Sequence, residues 1–120
     1  MLNQNKVIVD LFLSNFYLAR FVLKIYKKYK KNLHMTRTNK SDLRLMVKTK
    51  NYKKGRNVMT CHYQQNKNFL HFNLLNILSS DKGYFKKNKH RYCPFEFKLE
   101  KKSQEKILMR NIKFSINSLK

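Results

Sequence analysis

The sequence predicts a single small α+β domain over residues 1–120. Its expected body is a long N-terminal helix, a β-hairpin, a central apolar helix and a C-terminal helix, with extended basic segments between them. Three observations predict it. Apolar residues recur at three- and four-residue steps near both ends and in the middle of the chain, the period of a helix with one buried face. Residues 43–63 instead alternate around a glycine-containing turn, the period of paired strands. And 120 residues make one small domain at most.

The first stripe is Val7, Ile8, Leu11, Phe12, Leu18, Ala19, Val22, Ile25, Tyr26 and Tyr29, which gives a helix from about Asn5 to Lys31. Asp10, Arg20 and Lys24 interrupt it. A charge at the bilayer centre costs about 2.5–3.5 kcal/mol, so this helix is not expected to span a membrane. Its last turns carry Lys27, Lys28, Lys30 and Lys31, where cations suit the helix dipole.

Residues 32–41 have no period and read as an extended basic connector that carries Arg37. Leu43, Leu45, Val47 and Thr49 then alternate with Arg44, Met46, Lys48 and Lys50, giving a strand with one apolar and one largely basic face. Residues 51–57 supply turn chemistry around Gly55, and 58–63 read as the returning strand. The tip of this hairpin holds Tyr52, Lys53, Lys54 and Arg56.

The near-neutral stretch 64–83 contains Leu70, Leu74, Ile77 and Leu78 at helical spacing. Asn66 or Asn68 would cap this central helix and residues 79–83 would end it. A second basic run follows, with Lys86, Lys87, Lys89 and Arg91 flanked by Tyr84, Phe85 and Tyr92. After Pro94, Phe95, Phe97 and Leu99 alternate with Glu96, Lys98 and Glu100, a third short strand. Ser103 would cap a last helix, with Glu105 in its first turn and Ile107, Leu108, Ile112, Ile116 and Leu119 along one face. Ile112, Phe114 and Ile116 fit a strand as well.

Composition narrows the partners. Twenty-eight basic residues against 6 acidic leave a formal charge of +22 on 14.7 kDa. Such a chain repels itself when compact, and a polyanion relieves that repulsion. A disordered polycation would be poorer in apolar groups than the 42% hydrophobic and 13% aromatic residues found here, so a core is expected. Lys outnumbers Arg 22 to 6, Ala occurs once, and Asn, Ile, Phe and Tyr abound. That is the footprint of an A+T-rich gene, as in many organellar genomes, and it makes any single lysine weak evidence of chemical choice. Two cysteines build no disulfide framework, and a reducing compartment is the default. Residues 1–20 contain one Arg, one Ser and one Asp, unlike a transit peptide, and no secretory signal is expected; an organellar protein of this kind would be made in the organelle.

No enzyme chemistry is expected. The acids are scattered singly, and two glycines cannot form a phosphate-cradling loop. Cys61-His62 and His90-x-x-Cys93 are the sharpest metal candidates, but their spacing suits zinc poorly, and neither metal nor cofactor is expected. Basic runs interleaved with aromatic rings suit RNA, with phosphates for the cations and unstacked bases for the rings. The candidate RNA-binding residues are those named in the three clusters Lys27–Lys31, Lys48–Arg56 (including Lys50) and Lys86–Arg91, with Arg37. The expected role is a structural constituent of a mitochondrial ribosome in the matrix, contacting rRNA and neighbouring ribosomal proteins and no small-molecule substrate. The alternative is an accessory subunit of an inner-membrane complex with an interfacial N-terminal helix; a DNA-binding nucleoid protein ranks third.

Overall fold

The computed structural model describes residues 16–29, 33–36, 42–62, 70–89 and 92–119. Period-two alternation governs more of these residues than the sequence suggests. Six strands, β1 (Leu33–Thr36), β2 (Asp42–Val47), β3 (Arg56–His62), β4 (Leu70–Leu74), β5 (Lys86–Lys87) and β6 (Phe95–Leu99), form one sheet in the spatial order β1-β2-β3-β4-β6-β5. Every neighbouring pair is antiparallel. Helices α1 (Phe16–Tyr29) and α2 (Glu105–Asn117) complete the described elements, with short 3-10 turns at Ser79–Tyr84 and Lys102–Gln104.

Register sorts the sheet into two faces. Met35, Leu45, Met59, Leu74 and Phe95 lie side by side across five strands, and Leu43, Cys61, Phe72 and Phe97 form the next row. These residues meet Phe21, Val22 and Ile25 of α1 and Leu108, Ile112 and Ile116 of α2 in one core. The Phe21 and Phe72 rings pack edge-on, 5.7 Å between centroids. The other face is polar. Thr36, Arg44, Thr60, Asn73, Glu96 and Lys86 run across all six strands, flanked by His34–Met46–Asn57 on one side and His62–His71–Lys98 on the other. A bulge in β3 slips the register between Leu45 and Met46, so that Val58 and Met59 are both buried.

This architecture corrects the expected one. The central apolar helix is not present: Leu70–Leu74 is strand β4, flanked on both sides by β3 and β6. Leu70 and Leu74 satisfy a helical step and a strand step alike. Phe72 between them, fully buried in the core row, settles it for period two. The organising element is the sheet and not a long N-terminal helix. The first described helix is the fourteen residues Phe16–Tyr29, and the earlier part of the expected helix lies outside the described residues. The expected connector contains β1, whose Leu33 and Met35 are buried while His34 and Thr36 are partly exposed; four alternating residues are too few to stand out in sequence.

The hairpin β2–β3 and strand β6 lie where alternation puts them. The last helix forms, but Ser103 does not cap it. Gln104 reaches back instead, its Oε1 accepting from the backbone N–H groups of Glu100 (2.8 Å) and Lys101 (2.9 Å). Two polar residues in the buried stripe of α2 anchor the chain after β4. Asn111 Oδ1 accepts from Leu78 N–H at 2.7 Å, and Ser115 Oγ accepts from Asn76 N–H at 3.0 Å. Asn111 Nδ2 also donates to buried Asp81, which is paired with Arg110. The peptide groups that β4 could no longer pair are thereby satisfied as the chain crosses to the far edge of the sheet.

Candidate nucleic-acid interface

The hairpin tip is a built structure. Thr49 and Tyr52 exchange two backbone hydrogen bonds of 3.2 Å each, and Gly55 N–H donates to Tyr52 O at 3.0 Å. Gly55 has φ +96°, where a side chain is strained, and a Cβ there would lie 2.7 Å from His34 Cε1. The tip therefore closes onto the polar face of the sheet and not away from it. His34 has its imidazole pushed below its ordinary pKa, first by burial and then by the nearby charge of Lys48.

Between this tip and the β5–β6 connection lies a cleft of about 650 Å³. Its floor is the polar face of β2 and β3, with Arg44 and Met46 from one strand and Asn57, Thr60 and His62 from the other; Tyr52, Gly55, Arg56 and Tyr92 complete the lining. Arg56 Nη1 donates to Tyr52 Oη at 3.2 Å, and the guanidinium carbon lies 5.2 Å from the centre of the same ring. The connection that brings in Tyr92 is pinned to the sheet. Asn88 N–H donates to Pro94 O at 2.7 Å, and Asn88 Nδ2 donates to Asn73 Oδ1 at 2.9 Å and to Glu96 Oε2 at 3.3 Å. Glu96 Oε1 meets His71 Nε2 at 2.6 Å, and that contact, aided by Asn88, holds the Glu96 carboxyl below the usual range.

Cys93 lies under the same connection, its thiol directed to Asn57 O at 3.7 Å. Burial pushes its pKa up to about 12 despite Arg56 and Arg44 nearby. Cys61 belongs to the core row on the opposite face. The two sulfurs are thus separated by the sheet and cannot share one ion, and no group of three metal-ligating side chains occurs among the described residues.

Of the residues singled out in sequence, the structure brings Tyr52 and Arg56 into the cleft. Lys48, Lys50, Lys53 and Lys54 are exposed around the hairpin end. Lys86 and Lys87 are exposed on edge strand β5, and Lys89 follows them. Lys27 and Lys28 are exposed at the end of α1, away from the cleft. Lys30, Lys31, Arg37, His90 and Arg91 lie outside the described residues. Sequence reasoning took Arg44 only as part of a strand's basic side, His62 only as a metal candidate and Tyr92 only as a ring beside the second basic run, and brought none of them together with the hairpin tip. Arg44 already stood on the basic side of an alternating strand, which was the available signal; Tyr92 depends on a fold-back that no local pattern encodes. Also missed was Lys113 of α2, which comes within hydrogen-bonding reach of Lys28 and is held below the usual lysine range by that contact.

No helix among the described residues is long and apolar enough to cross a membrane. In comparisons with known proteins, no family model, no curated protein and no solved structure matches the chain.

Proposed function

We propose that this chain is a structural, RNA-binding protein of a mitochondrial ribosome, and that the helix-free face of its sheet is the RNA-binding surface. The observation that carries this reading is the composition of the cleft. Arginine is outnumbered by lysine 22 to 6 in the chain, yet among the described residues two arginines and no lysine line the cleft. Guanidinium stacks on rings and binds phosphate through two parallel hydrogen bonds, which ammonium does not. In a chain biased so strongly to lysine, Arg44 and Arg56 together mark a place where that difference matters. Among the described residues, the two guanidiniums, two phenols and one imidazole of the lining suit holding an aromatic anion.

The exposed lysines of the hairpin end and of the β5 region serve a different purpose. Lys48, Lys50, Lys53, Lys54, Lys86 and Lys89 supply the charge that neutralises neighbouring phosphates and releases their counterions. Placement in a mitochondrial ribosome rests on the charge, the A+T-rich composition and the small basic build. The interfacial-helix alternative is weakened because Phe21, Val22 and Ile25, the apolar face of α1, are at most 2% exposed and engaged in the protein core.

Sucrose-gradient sedimentation of an organelle lysate tests the proposal. The chain is expected to travel with a ribosomal subunit and to be released by RNase, and reversing the charge of Lys53, Lys54 and Arg56 together is expected to impair its incorporation. Sedimentation with membranes, with release by salt or detergent and indifference to RNase, contradicts it.

A further inference from the structure

We propose, on the premise that this face binds RNA, that the cleft takes one unstacked nucleotide, so that the chain prefers RNA with a bulged or looped-out residue over continuous duplex. Tyr52 and Tyr92 supply rings for the base, Arg44 supplies the contact to its phosphate, and Arg56 with Asn57 meets the edge of the base.

Shape is the first ground. The surface is concave, and its volume of about 650 Å³ falls in the range of clefts that enclose small ligands, roughly 300–1,000 Å³. A continuous A-form duplex presents phosphates and 2′-hydroxyls over a shallow groove and has no use for a pocket walled by rings. An unpaired base does, because every base has a face to stack.

Exposure is the second. Among the described residues, Tyr84, Tyr92 and Phe114 are the large apolar side chains left exposed, and of these Tyr92, 46% exposed, lines the cleft. Its described neighbours in the chain are tied to the sheet: Asn88 Nδ2 donates to Asn73 Oδ1 and Glu96 Oε2, and the thiol of Cys93, next to Tyr92, is directed to Asn57 O.

Unspent pairing capacity is the third. Among the described residues, the buried side-chain polar atoms without a hydrogen-bond partner are His34 Nδ1, Arg56 Nε and Asn57 Oδ1. All three residues are at the hairpin-tip end of this cleft: Arg56 and Asn57 line it, and His34 abuts Gly55. Buried orphan groups are selected against unless something completes them. Arg56 Nε offers a donor and Asn57 Oδ1 an acceptor, and the Watson–Crick edge of any base offers one of each in return. The atoms are out of solvent reach, so a base completes them only by shifting the tip as it seats.

The test is fluorescence anisotropy with three labelled RNA hairpins of equal length: fully paired, with one bulged nucleotide, and with an abasic site at the bulge. The bulged hairpin is expected to bind at least tenfold tighter than the paired one, at the lower end of what one base–aromatic stack is worth. The abasic hairpin is expected to lose that advantage. Tyr92→Leu is expected to weaken binding to the bulged hairpin at least tenfold and to the paired one by less, so that the preference is lost, and Tyr92→Phe to retain it. Because Tyr92 is half exposed, these variants leave the core intact. Equal affinity for all three RNAs overturns the nucleotide pocket and leaves RNA binding standing; no binding to any of them at low salt overturns both.

Discussion

The guanidinium of Arg56 lies over the ring of Tyr52, 5.2 Å from its centre, and the same group donates to the tyrosine hydroxyl at 3.2 Å. Two residues four apart, at the start of β3 and in the turn before it, thus hold each other in place at the end of the cleft. The pairing spends one guanidinium nitrogen and leaves Nε of the same group without a partner.

Arg56→Lys separates planar recognition from charge. The charge survives, so the slope of log affinity against log salt is expected to stay the same, while affinity for RNA falls several-fold. Lys53→Ala with Lys54→Ala is expected to do the reverse. It removes up to two phosphate contacts and lowers the slope by roughly 0.7–0.9 for each. Salt titrations of binding measured for both variants decide between them; identical behaviour of the two would leave Arg56 as one more cation.

Gly55→Ala meets two obstacles at once, a positive φ and a Cβ 2.7 Å from His34 Cε1. The first alone costs about 1–2 kcal/mol, and the second forces the His34 imidazole to move. Urea denaturation is expected to show a loss of at least that size, together with weakened RNA binding because the tip no longer closes the cleft. Gly83→Ala, which meets nothing within 4 Å, serves as the control.

Stability is expected to fall in two steps on acidification. His34 has a lowered pKa in the folded protein, so its contribution is complete above the ordinary histidine value of about 6.5 and is lost as pH drops through the lowered one. Asp81 and Glu96 are also lowered, chiefly by hydrogen bonds from Arg110 and His71 respectively. Their contributions persist until pH falls below about 4. Denaturation midpoints measured from pH 8 to pH 3 test this, with His34→Gln expected to remove the upper step alone and Asp81→Asn to reduce the lower.

Thiol chemistry reports on the connection over the cleft. Cys93 is buried with its pKa raised to about 12, and Cys61 is buried in the core. Thiolate is the reactive form, so neither residue is expected to label with a maleimide at pH 8 until denaturant is added. Rapid labelling of Cys93 in the folded chain would mean that Tyr92, Cys93 and Pro94 do not stay on the sheet.

Much of the local pattern was legible in the sequence. Leu43, Leu45 and Val47 announce β2, Phe95, Phe97 and Leu99 announce β6, and Leu108, Ile112 and Ile116 announce α2. The sheet as a whole was not, because its central strand offers a pattern that fits two periods and its first strand is four residues long. The polar row from Thr36 to Lys86 exists only through register, which no single segment carries. For the same reason the cleft was half visible: Tyr52 and Arg56 are local to the hairpin, whereas Arg44 and Tyr92 reach them through pairing and fold-back. The basic clusters were conspicuous in sequence, yet none of their lysines among the described residues lines the cleft, where Arg44, Arg56, Tyr52 and Tyr92 stand instead.

The most direct measurement is ultraviolet crosslinking of the purified chain to RNA, with the attachment sites read by mass spectrometry. Crosslinks are expected on peptides that contain Tyr52, Arg56 and Tyr92, and their yield is expected to fall when Arg44 and Arg56 are both replaced by alanine. Crosslinks confined to α1 and α2, on the opposite side of the sheet, would contradict the account.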